Sequence, residues 1–225
     1  SFVFEGAANV VNNFSGYYFW MLDDLELIET PANLIEIEDA VVGGFWLDYA
    51  NYSGAGLNGI VGLDYTLTPT SQLANHPYVI EGVLRNAGAT DQTSMLKYEV
   101  WGGGSLQYSG SSAATVVSAY SATNTIDSII VACTPSLSPI VGSYGVAIWG
   151  ESDSAGVITT ISDTTYKAIE VTDYIYGKDQ GTFTDASGNT TSPGSWQIGG
   201  PVAQNHLTTR FEMYANESLT GLRAF

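Results

Sequence analysis

The sequence holds one cysteine, two histidines and six cationic side chains in 225 residues. A lone Cys133 rules out an intrachain disulfide, so the fold must rest on an apolar core, which a chain of this length builds unaided. Cys133 lies inside the apolar run Ile126–Cys133, the setting of a buried small hydrophobe rather than a reactive thiol. One cysteine with His76 and His206 cannot furnish the three or four nitrogen and sulfur ligands of a zinc centre. Both histidines flank turn signals and no G-x-S-x-G elbow is present, so a Ser-His-Asp triad has no frame either. No apolar run approaches the length of a membrane-spanning helix. Gly102-Gly103-Gly104 matches no nucleotide-binding spacing and reads as a turn.

Positive charge is the other scarcity. Six Lys and Arg stand against 23 Asp and Glu, a net charge of −17. The cations Arg85, Lys97, Lys167, Lys178, Arg210 and Arg223 are scattered, whereas nucleic-acid binding needs several of them together. Anionic membrane surfaces are disfavoured for the same reason. Only 13% of residues are charged, about half the usual share, so Ser, Thr, Asn, Gly and Tyr must cover the surface. That composition suits an extracellular, cell-surface or virion protein. An opening Ser1 rather than Met is what signal-peptide removal, or trimming, would leave.

What the chain does have is short β-branched and aromatic runs punctuated by turn residues. Two of them, Ile126–Cys133 and Ile140–Trp149, flank a segment with Pro135 and Pro139 and read as a central strand pair. Further strands are expected over Ala40–Tyr49, Gly59–Leu67, Pro77–Leu84, Met95–Trp101, Ala114–Tyr120, Val157–Ile161, Tyr166–Tyr176 and Leu207–Tyr214. In LKYEVW, Leu96, Tyr98 and Val100 share one face while Lys97 and Glu99 share the other, the mark of a half-exposed strand. The expected fold is all-β: a single antiparallel β-sandwich, jelly-roll-like, of about 10–12 strands with at most one or two short helices. Residues 23–225 would form this domain.

Residues 1–22 stand apart as an apolar N-terminal segment. Phe2, Phe4, Val10, Phe14 and Trp20 cannot all face water, so the segment is an edge strand of its own domain or is donated to a neighbour's sheet. Residues 23–39 then carry seven of the 23 acids. Leu22, Leu25 and Ile28 allow one short helix before Pro31. Asp23 and Asp24 in this cluster, with Glu151 and Asp153 in the segment Glu151–Gly156, are the candidate oxygen ligands for calcium; no other cofactor is expected.

Four Asn-x-Ser/Thr sequons, at Asn13, Asn51, Asn189 and Asn216, are candidate glycosylation sites. Trp46, Tyr49 and Tyr52 run into a Gly-rich loop and form a candidate exposed aromatic strip. The segments KAIEVTDY (Lys167–Tyr174) and GTFTDAS (Gly181–Ser187) resemble a stretch of the fungal glutamic peptidases. That resemblance implies a β-sandwich hydrolase acting through a Gln and a Glu. On it, Ala168 stands in the catalytic Glu slot, which implies a degenerate and inactive copy.

Three functional expectations follow. The first is a non-enzymatic structural subunit, extracellular or of a virion, that self-assembles into a homo-oligomer or polymer through β-edges and terminal segments, burying more than about 2,000 Å² per contact. The second is a carbohydrate-binding β-sandwich module with a glycan partner. The third is a carboxylate-dependent hydrolase, which requires two carboxyl groups converging in one groove.

Overall fold

The structure, a computed structural model, describes residues 29–48, 60–73, 75, 78–134, 140–178, 183–184, 190–191 and 211–222. In chain order the strands are β1 (Ile35–Val42), β2 (Phe45–Asp48), β3 (Ile60–Leu63) and β4 (Leu67–Pro69), followed by one helical turn, α1 (Thr70–Leu73). Then come β5 (Ile80–Asn86), β6 (Gln92–Gly102), β7 (Ser105–Ser111), β8 (Thr115–Val117) and β9 (Ser128–Cys133). The last are β10 (Gly142–Ser154), β11 (Val157–Ile161), β12 (Thr165–Thr172), β13 (Phe183–Thr184) and β14 (Thr190–Thr191). The chain is mostly β, as its composition requires, and one sheet is curled into a half-barrel.

Two sheets build the core. One has three strands in the order β1-β5-β9; the other has seven, with the path β4-β12-β10-β6-β7, β11 added beside β10 and β8 beside β6. The alternation read in LKYEVW is realised in β6: Leu96, Tyr98 and Val100 are buried while Lys97 and Glu99 are half-exposed. Leu96, Val100, Val146, Ile148 and Val171 of the larger sheet meet Ile35, Val42, Ile80, Leu84 and Cys133 of the smaller one in a single cluster. Gly82 and Gly150 permit close approach of the sheets, since an added Cβ would lie 2.6 Å from Leu96 Cδ1 at the first and 2.8 Å from Leu84 Cδ2 at the second. Burial pushes the Cys133 thiol up to about 11, as an inert core position demands.

Three expectations are corrected. First, Ile126–Cys133 and Ile140–Trp149 do not pair with each other: β9 pairs with β5, whereas β10 pairs with β6, β11 and β12. Both runs are apolar because each lines the shared core from its own sheet, and composition alone does not distinguish facing from adjacent strands. Second, the sheets are not antiparallel throughout, because β4 runs parallel to β12. Third, Phe211–Tyr214, the described part of the expected strand Leu207–Tyr214, is not a strand. Side chains hold it instead: Tyr65 Oη accepts from Glu212 N at 2.8 Å, and the buried Gln72 Oε1 accepts from Tyr214 N at 2.8 Å and Ala215 N at 3.0 Å.

Two hairpins have two-residue turns with both residues at positive φ. Gly103 and Gly104 (59° and 79°) join β6 to β7; Ala155 and Gly156 (53° and 83°) join β10 to β11. Both match the primed turn that fits the twist of antiparallel strands. Glu151–Gly156 is therefore the end of a strand and a hairpin turn.

Candidate functional site: the sheet edges and the outer face of the larger sheet

A sheet edge offers unpaired backbone groups, and the side chains on it decide whether they attract a partner. In the three-stranded sheet the two edges differ. β1 carries Glu36, Glu38 and Asp39, and its register with β5 shifts between Ile37 and Asp39. Charge and irregularity together block such an edge. β9 reads SIIVAC, without a charge, and pairs with β5 in unbroken register. Asn86 N donates to Asp127 O at 2.8 Å just before β9 begins. Antiparallel alternation then turns the N–H groups of Ser128, Ile130 and Ala132 away from β5, toward an edge that no strand among the described residues pairs with. Ile130 and Ala132 also point their side chains away from the core, and both are exposed. β11, VITTI, is an uncharged edge too, but its register with β10 shifts beside Thr159.

The second feature is the outer face of the seven-stranded sheet. Register places its side chains. On β10 the outward residues are Gly145, Ala147, Trp149 and Glu151; their partners on β6 are Trp101, Glu99, Lys97 and Met95. On the other side of β10, Gly145 faces Ala168 and Ala147 faces Tyr166 of β12. Small residues thus sit in the middle and rings rise around them. Trp101 is 43% exposed and Tyr166 is 77% exposed, while an ideal Cβ on Gly145 meets nothing within 4 Å. Both indoles are fixed by carboxylates: Trp101 Nε1 donates to Glu99 Oε2 at 3.0 Å, and Trp149 Nε1 donates to Glu151 Oε1 at 2.9 Å. Glu151 Oε2 in turn lies 3.5 Å from Lys97 Nζ.

The described cations are all engaged within the fold. Arg85 meets Asp127 at 3.0 Å, Glu36 at 3.4 Å and Glu38 at 3.7 Å, and its hydrogen bond to Asp127 raises the guanidinium above its ordinary value. Lys167 pairs with Asp64 at 2.9 Å. Lys178 Nζ lies 4.1 Å from the Phe45 ring centroid, beside Tyr65 and Phe211. A polar hollow beside Arg85 has Glu38, Asn86, Asp127 and Tyr120 among its walls.

Of the residues singled out in the sequence, the assembly segment (Phe2, Phe4, Val10, Phe14, Trp20), Asp23, Asp24, Asn13, Asn51, Asn189, Tyr49 and Tyr52 lie outside the described residues. Asn216 is exposed beside the anchored Tyr214–Ala215 stretch. Trp46 is half-buried, with Nε1 donating to Glu81 Oε2 at 3.1 Å. Glu151 binds Trp149 and Lys97, and Asp153 is half-buried near the end of β10. Ala168 is exposed beside Gly145. Among the described residues no helix is long and apolar enough to cross a membrane, and no group of three or more His, Cys, Asp or Glu is placed to hold a metal ion. No protein-family description matches the chain, and no curated protein or solved structure is significantly similar to it.

Proposed function

We propose that the protein is a non-enzymatic structural subunit of an extracellular or virion assembly, joining copies of itself through β-edges and terminal segments. One observation carries the reading: within one sheet, edge β1 is guarded by three acids and an irregular register, while edge β9 is regular and uncharged. A chain of net charge −17 repels its own copies, so an uncharged strand is where two copies meet at least cost. Antiparallel pairing of β9 with β9 of a second copy about a two-fold axis would join two three-stranded sheets into one of six. The jelly-roll-like sandwich is the finer fold assignment within this proposal, supported by the single core shared between the two large sheets. Hydrogen exchange on the full chain tests the reading. Amides of Ile130 and Ala132 should gain protection as concentration rises; exchange there that ignores concentration contradicts it.

A second reading, a carbohydrate-binding module, is favoured by the rings around Gly145. The hydrolase alternative has less support, because Glu99 and Glu151 on the outer face each bind an indole N–H rather than face one another.

A further inference from the structure

We propose that the outer face of the seven-stranded sheet, over Gly145 and Ala168, is a platform for a neutral polysaccharide. The proposal rests on the second reading above and is independent of edge β9. Its first support is relief. Gly145 and Ala168 are partners in register and both are exposed, so the middle of the face is low. Trp101 rises on one side and Tyr166 on the other, two strands and two residues apart, about 12 Å between their Cα atoms from strand geometry. Trp149 stands one step further along β10. A sugar ring presents a flat C–H face to an aromatic ring, and rings spaced across a low floor suit successive residues of an extended glycan.

Rigidity is the second support. Each indole N–H is tied to a carboxylate on its own strand, so little side-chain freedom remains to be lost on binding. The rim also offers hydrogen-bonding groups suited to sugar hydroxyls: Glu99, Ser109 and Ser143 all lie on this face by register.

Size and charge choose the occupant. The four strands β12, β10, β6 and β7 span about 15 Å, and the rows from Gly145 to Trp149 about 13 Å, so the platform covers about 200 Å². Each partner of a stable protein pair buries about 800 Å², so the platform is too small for a second protein and large enough for a few sugar rings. The face carries Glu99 and Glu151 against Lys97, itself paired with Glu151, in a chain of net charge −17, which turns away uronates and sulfated glycans.

The test is affinity electrophoresis of the full chain through gels containing hydroxyethylcellulose, mixed-linkage β-glucan, galactomannan or xylan, with alginate as the anionic control. At least one neutral gel should retard the native chain and alginate should not. Trp101→Ala, Tyr166→Ala and Gly145→Leu should each weaken retardation at least tenfold; the first two remove a ring, and the third fills the floor with both rings in place. All three positions are exposed, so thermal unfolding should show native-like folding. Retardation that survives all three variants overturns the platform and leaves the carbohydrate reading standing elsewhere on the molecule. No retardation in any neutral gel overturns both. Self-association abolished by Trp101→Ala overturns the proposal by giving this face to a second copy.

Discussion

The indole N–H of Trp101 donates to Glu99 Oε2 at 3.0 Å, two residues back along the same strand. Residues so spaced share one face of a sheet, and the bond fixes a ring that would otherwise swing in solvent. Glu99→Ala is expected to leave unfolding free energy within about 0.5 kcal/mol, because the pair is largely exposed. It should increase the mobility of Trp101, read as lower steady-state fluorescence anisotropy with Trp101 as the sole tryptophan, the other four replaced by Phe. Unchanged anisotropy would show that strand packing alone orients the ring.

The turn between β10 and β11 places Ala155 at a φ of 53°. A Cβ in the left-handed region costs roughly 1 kcal/mol, and Asn tolerates it better. Asn-Gly is also the preferred pair for this turn. Ala155→Asn should therefore stabilise the protein by about 0.5–1 kcal/mol, measured as a higher urea midpoint at unchanged slope.

Much of the β architecture was legible in local pattern. Val157–Ile161 was bounded as the structure has it, and the period of two in LKYEVW assigned each side chain of β6 to its face. β7 was not legible: SLQYSGS has no apolar period, and its strand character comes from pairing with β6. The aromatic platform was hidden for a related reason. Trp101, Trp149 and Tyr166 lie on three strands, and only register brings them to one face. The anchoring of 211–217 was equally invisible, because Gln72 reaches residues more than 140 positions away.

That anchoring titrates. Hydrogen bonds from Ser71 first, then Gln72, hold the Glu217 carboxyl below the usual carboxylate range. A lowered folded pKa means the charged form is favoured by the fold. Its contribution is in place above the ordinary value of about 4.3 and fades as pH falls through the lower folded value. Amide exchange at Tyr214 and Ala215 should therefore accelerate, relative to its intrinsic rate, from about pH 4 downward. Glu217→Gln should remove that acid step. A step of equal size in the variant would place the sensitive group elsewhere.

The most direct measurement is the mass of the full chain against concentration, by sedimentation velocity, for the native sequence, Ile130→Lys, Ile130→Glu and Ala132→Pro. Ile130 is 38% exposed, and Ala132 turns its N–H to the edge of the sheet formed by the described strands, where proline is tolerated. Both charge signs are needed because Lys makes the net charge of −17 less negative and Glu makes it more negative. The native chain should rise above its 23.9 kDa protomer mass with concentration, and all three variants should remain there. A native chain that stays at 23.9 kDa throughout, or variants that assemble as it does, would contradict assembly through β9.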